Sequence, residues 1–277
     1  MSLFSENPVL ERELRGRLRL RRRGSAAGSW AVAAAVGLAA LYGYARGMIG
    51  LARGTARDAQ DLWPYLVYGL LALITLLAPA LSATAISVER EQQTWETLET
   101  TLLSPPQVIF GKWVGRQVIP GLLLLIALPF LVATDVKGAL GAGVLFGSLL
   151  FLVGTSLAFG LLGLLCSYRA RRTMTATASS LTTLALLCIG TPVIEQILRS
   201  FLGMGFSRET TPVMWINPFY ALTVLGGALA SASSSVSDPG VAGTADGILF
   251  FYALVLVLFS AGALYLMLRG YGRAARD

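Results

Sequence analysis

Six stretches of this chain carry no Asp, Glu, Lys or Arg: residues 24–45, 62–88, 117–134, 138–168, 173–194 and 248–268. Covering a hydrocarbon core of ~30 Å takes about 20 apolar residues in a helix, so each run has spanning length. Lipid offers no hydrogen bonds, and only a helix or a closed barrel satisfies its backbone there; runs this long suit helices. The fold class expected is therefore all-α: an integral membrane protein with six transmembrane helices in a single domain over 1–277. Composition agrees, since 13% of residues are charged and 55% are hydrophobic, against about 25% charged in soluble domains. A large soluble helical core is the competing reading, and six such runs in one chain count against it.

The distribution of basic residues sets the expected orientation. With the N-terminus inside, seven arginines at 12–23 are cytoplasmic, as are Arg90, Lys112, Arg116, Arg169, Arg171, Arg172, Arg269, Arg273 and Arg276. Only Arg46, Arg53, Arg57, Lys137, Arg199 and Arg208 fall outside. An even number of spans follows, with both termini cytoplasmic in an inner (plasma) membrane. The net charge of +7 is a by-product of this bias and does not call for nucleic acid. No separate signal peptide is expected, because the first 23 residues are too charged and the first apolar run is full length.

Absences exclude whole function classes. The chain has no histidine, which removes Ser–His and Cys–His nucleophile pairs, HExxH zinc helices and His-ligated haem. Gly154-Thr155-Ser156-Leu157-Ala158 imitates a nucleophile elbow but lacks its second Gly and any base, so small-residue helix packing accounts for it better. No catalytic, cofactor or metal residue is assigned. The runs contain no ionisable midplane groups of the kind that ion-driven carriers use. Gly111-Lys112 is followed by Trp113, and Pro106 stands where a Walker A loop starts with Gly. Any ATP must bind to another chain. Cys166 and Cys188, inside spans, read as apolar fillers.

Between the runs lie shorter signals. Asn7 and Pro8 suit a helix start, and Leu10, Leu14 and Leu18 recur every fourth residue among arginines. They read as an interfacial amphipathic helix over 1–23 touching membrane lipids, or as a plain basic flank. The segment 89–116 holds a second signal. Ser87 is placed to cap a helix whose first turn contains Glu89 and Glu91. Trp95, Leu98 and Leu102 form one apolar stripe along it, and Pro105-Pro106 end it. Such a ridge needs a partner surface, either another protein or the bundle itself. Glu89 and Glu91 are expected to pair with Arg90 or the N-terminal arginines.

Those residues carry a resemblance. Glu89-Arg90-Glu91, Thr94, Leu98, Leu102-Leu103, Ser104-Pro105 and Gly111-Lys112 resemble the ERE-x-x-T-x-E-x-L…LL-[ST]-P…GK pattern of type-2 ATP-binding-cassette (ABC) exporter permeases. Asn7-Pro8-Val9-Leu10 and Asn217-Pro218-Phe219-Tyr220 are also similar to that family. One departure is Gln93, where the family usually has Gly; Gln is the better helix former and is expected to leave the helix intact. The resemblance implies a six-helix permease subunit that dimerises with itself or a related chain. It implies a separate ABC ATPase subunit that binds ATP and Mg, with no cofactor in this chain. It also implies that Glu89, Arg90, Glu91, Thr94, Trp95, Leu98 and Leu102 belong to a cytoplasmic coupling helix between spans two and three. The alternative function is a membrane scaffold or assembly subunit that recruits a cytoplasmic partner without transport.

Other features stay open at this level. Glycines in span four, including the Gly143–Gly147 GxxxG, permit close helix approach, in a dimer or only within the bundle. Hydroxyls from Thr173 to Thr183 in span five line a polar path or bond between helices. Pro79 and Pro129 are expected to kink their spans. In the outside segment 195–247, a helix started by Pro218 is too short to cross and reads as a re-entrant or interfacial element. Residues 231–243 read as a flexible loop.

Overall fold

The computed structural model describes residues 56–93, 105–134, 142–202, 211–233 and 239–274. The expected first span, the interfacial helix with Leu10, Leu14 and Leu18, and the stripe residues Thr94, Trp95, Leu98 and Leu102 lie outside those segments. All regular structure among the described residues is helical. The elements are α1 (Ala56–Ala83), α2 (Ser87–Glu91), α3 (Pro105–Ala133), α4 (Ala142–Arg169) and α5 (Thr173–Ala185). A π turn (Leu186–Gly190) joins α5 to α6 (Thr191–Leu202); a 3-10 turn (Met214–Ile216) precedes α7 (Pro218–Ser233) and α8 (Pro239–Ala274).

Among the described residues, five segments are long and apolar enough to cross a membrane: Trp63–Glu91, Pro106–Val132, Ala142–Arg169, Thr173–Phe201 and Gly247–Arg269. They correspond to the second to sixth charge-free runs. The chain is thus a multi-pass membrane protein, helical in its described residues. Large apolar side chains such as Leu125, Phe146, Phe201 and Phe250 are exposed on its flanks, which suits a surface that meets acyl chains.

Two boundaries differ from expectation for a local reason. Pro105 and Pro106, expected to end a helix, instead head α3, where a missing N–H costs nothing because the first turn has no acceptor. Of residues 231–243, expected in a flexible loop, 231–233 close α7 and 239–243 form the first turn of α8 behind Pro239 by the same rule. Span five also outruns its charge-free stretch. Arg199 Nε donates to Glu195 Oε1 across one turn at 2.7 Å, and mutual neutralisation lets the helix continue to Leu202.

α1 and α4 are the inner pair, and α3, α5 and α8 pack around them. At Gly163, an added Cβ would lie 2.3 Å from the Pro79 carbonyl oxygen of α1. Only hydrogen fits between these backbones, the small-residue contact that lets membrane helices gain dispersion at close range. Gly143 of the expected GxxxG has open space around it, so the tight crossing is made by the other end of the helix. Both α1 and α3 remain helical through their internal prolines.

Three apolar clusters divide the bundle along its length. Trp63, Val67, Leu70 and Ile74 pack with Leu131, Val144 and the α7 residues Leu222 and Leu225 at one end. Ala78, Phe159, Leu162 and Leu184 fill the middle, flanked by the half-buried Cys166 and Cys188. Ile86, Ile109, Leu164 and Met267 close the other end. There α1 gives way to α2, and the charged residues of the Glu89-Arg90-Glu91 triplet sit on that end.

Candidate functional site: a three-way clasp at Glu89-Arg90-Glu91

The clasp begins with a break in the backbone. α1 stops at Ala83, a turn covers Thr84–Ile86, and α2 restarts at Ser87. Such a break exposes N–H and C=O groups that a continuous helix would satisfy, and burial makes each of them costly. Side chains from neighbouring helices meet them. Ser167 Oγ of α4 accepts from both Ile86 N and Ser87 N at 2.9 Å. Lys112 Nζ of α3 donates to the Ala85 carbonyl at 3.3 Å. Arg116 of α3 donates to the Leu81 carbonyl at 3.3 Å and to Thr84 Oγ1 at 3.2 Å. Ser87, expected to cap the helix, instead donates to the Ala83 carbonyl at 2.9 Å, which ties α2 back to α1. The cap comes from another helix.

The triplet then sends each side chain to a different helix. Glu89 Oε1 accepts from Lys112 Nζ of α3 at 2.6 Å. The lysine is 1% exposed and the glutamate 21%, so the pair sits in a medium where an unpaired ammonium would be costly. Arg90 donates to the Tyr168 carbonyl of α4, and its guanidinium lies 5.1 Å from the centre of the Tyr168 ring, within cation–π range. Glu91 Oε2 accepts from the Thr173 N–H at 3.3 Å and from Thr173 Oγ1 at 2.7 Å. Thr173 is the first residue of α5, whose own N-cap position, Arg172, supplies no side-chain cap. Glu91 therefore caps α5 from α2, a carboxylate at the positive end of a helix dipole. The N-terminal arginines, the other partners expected for Glu89 and Glu91, lie outside the described residues.

α2 ends at Glu91, and the helix expected to run on from Ser87 through Leu102 is interrupted there. Gln92 is the C-cap, Gln93 N donates to the Arg90 carbonyl at 3.2 Å, and Gln93 has φ 56°. This is the left-handed position that closes a helix, where Gly carries no steric penalty. Gln93 is where the resembled pattern has Gly. The departure bears on backbone strain, and helix propensity was the wrong measure of it.

Glu89, Arg90 and Glu91 are thus brought together, while Thr94, Trp95, Leu98 and Leu102 are outside the described residues. Lys112, Ser167, Tyr168 and Thr173 were missed as site residues. Lys112 alone had a signal, the Gly-Lys of the pattern; a Ser, Tyr and Thr in apolar helices have none.

A second polar cluster holds the remote end. Asn217 Nδ2 donates to the Cys188 carbonyl in the π turn at 2.9 Å and to Thr191 Oγ1 at 2.8 Å. Its Oδ1 accepts from Phe219 N at 2.9 Å and Tyr220 N at 3.4 Å. Glu195 accepts from Thr211 N at 3.1 Å and from the Thr211 hydroxyl. In mid-bundle, Thr155 meets Tyr252 Oη at 3.2 Å and Ser156 donates to Gln117 Oε1 at 3.0 Å. The residues that imitate a nucleophile elbow therefore serve helix packing. The hydroxyls of Thr175, Thr177, Ser179 and Thr183 bond back to carbonyls of their own helix or its N-cap.

A family model described as an ABC-2 family transporter protein matches residues 23–270. The chain belongs to the ABC-2 transporter family. Membership makes it a membrane transport component, which agrees with the five apolar spans among the described residues. No curated protein matches the chain.

Proposed function

We propose that this ABC-2 protein is the permease subunit of an ABC exporter, working as a dimer with separate cytoplasmic ATPase subunits that bind ATP and Mg. The triplet end of the bundle is its cytoplasmic face, and both termini lie on that side of an inner (plasma) membrane. Residues Glu89 to Leu103 carry the coupling segment, with Trp95, Leu98 and Leu102 as the apolar surface offered to the ATPase. The helix from Pro218 is a re-entrant element in the outer leaflet: its 16 residues reach about 24 Å at 1.5 Å per residue, short of a crossing.

The single observation that carries this reading is the radiating triplet. Displacing the segment that follows Glu91 pulls on α3, α4 and α5 through three separate side chains. A loop that merely joined two spans would not need such connections.

The test measures ATPase rate and substrate flux in the same proteoliposomes, with the partner ATPase present. Glu91→Arg should insert normally, because only an exposed cap is lost, yet uncouple ATP turnover from flux. Leu98→Asp removes apolar contact worth roughly 1.5–3 kcal/mol and should weaken ATPase binding. Wild-type flux and binding in both variants would refute the coupling assignment and favour a scaffold without transport.

A further inference from the structure

Span five is two helices with a joint between them, and the joint has its own latch. α5 packs on α1, α2 and α4, whereas α6 packs chiefly on the π turn and the 3-10 turn. A π turn is an α-helix with one residue too many; its widened ring loosens the i→i−4 ladder and leaves carbonyl groups in need of donors. Here one such carbonyl, that of Cys188, is met by Asn217. Thr191, just past the turn, donates to the Leu187 carbonyl at 2.7 Å and accepts from the same Asn217 amide.

Asn217 is 2% exposed and each end of its amide is occupied. Its NH2 serves the π turn of span five, and its oxygen serves the first N–H groups of α7. The orientation is fixed by chemistry, since Phe219 N and Tyr220 N need an acceptor and the Cys188 carbonyl needs a donor. Asp would cap α7 but could not donate to the bulge. A second link runs parallel to this one, from Thr211 to the Glu195 carboxylate of α6. α6 is thus tied twice to the segment that leads into α7.

We propose that Leu186–Gly190 is the bending joint of span five, and that Asn217 is the positioning residue that holds it in its bulged register. In consequence the direction of α6 relative to α5 is set through the Thr211–Asn217 segment, while α5 is held by α1, α2 and α4. The inference stands on the geometry of span five and is independent of the exporter reading.

The experiment places spin labels on the full chain in lipid vesicles, in a background with Cys166 and Cys188 replaced; the Cys188 contact is made by its backbone. One label pair, Met174 and Phe201, spans the joint. The other, Met174 and Phe146, does not. All three side chains are well exposed. Loss of the latch frees the extra residue to slip by one register, about 100° and 1.5 Å, which swings a side chain at Phe201 by roughly 5 Å or more. Asn217→Asp keeps the α7 cap and removes the donors. It should shift or split the Met174–Phe201 distance and leave Met174–Phe146 unchanged. Thr191→Val, which keeps the side-chain shape, should act in the same direction and decides the matter alone if Asn217→Asp does not insert. Wild-type distances in the variant that inserts would overturn the proposal, because the bulge would then be intrinsic to span five. A shift in both pairs would also overturn it, since Asn217 would then support the whole bundle.

Discussion

Lys112 and Gln93 show how little a residue's type says before its neighbours are known. Lys112 lies among apolar residues of α3 and is 1% exposed; it is tolerated because Glu89 and the Ala85 carbonyl meet its ammonium group. Breaking one side of a buried pair leaves an uncompensated charge, typically a loss of about 3 kcal/mol. Glu89→Gln should therefore shift the midpoint of an SDS unfolding titration strongly, and adding Lys112→Met should restore most of it. Gln93 makes the opposite case. Its φ of 56° strains any residue with a Cβ by about 1 kcal/mol relative to Gly. Gln93→Gly should raise the thermal midpoint of the solubilised protein, and Gln93→Val should lower it, because a β-branched side chain fits the left-handed region worst.

Elements here are governed by what lies beside them more than by their own pattern. α2 is five residues long, far below the length at which an isolated helix holds in water. It persists because Ser167 caps it and its charged residues are held by α3, α4 and α5. The α1–α4 crossing depends on Gly163, where a methyl group would lie 2.3 Å from the Pro79 oxygen. That atom belongs to backbone and cannot rotate away. Gly163→Ala should force the helices apart, with a cost of about 1–3 kcal/mol read as a lower unfolding midpoint and reduced membrane yield. Gly143→Ala, with open space around it, should leave both readouts unchanged. A comparable loss in both variants would mean that glycine content, and not this contact, sets the packing.

At the scale of the molecule, α1 and α4 carry the interior while the outer helices turn much of their surface to lipid. The asymmetry of basic residues makes a further prediction. Single cysteines at positions 105 and 171 should resist an impermeant thiol reagent added outside intact cells, and one at position 234 should react. Labelling at 105 from outside would reverse the orientation and remove the proposed coupling segment from the compartment where an ATPase works. Function depends on this scale more than on the others. The clasp can serve coupling only if one end of α1, α3, α4 and α5 faces the partner together, and the residues at Glu89, Lys112, Tyr168 and Thr173 place those four helix ends side by side.

The charge-free runs alone determined the class of the protein. Hydrocarbon leaves an unpaired backbone no alternative to a helix, so apolar length translates directly into spans, and the Glu89-Arg90-Glu91 pattern was enough to point to the family. Helix ends were less legible. Pro105 and Pro239 stop one helix or start the next with equal ease, and only the direction of the following chain decides between them. Contacts between helices were not legible at all. A serine such as Ser167 reads as a small polar residue in an apolar run, and its role as a double cap exists only because α1 breaks against it, 80 positions away in sequence. The same holds for Asn217 and the π turn it bridges, 29 positions apart. Local sequence fixes which groups a chain carries into the membrane; which of them meet is settled by packing, because the backbone groups that each break exposes take whatever donor or acceptor the neighbouring helix presents.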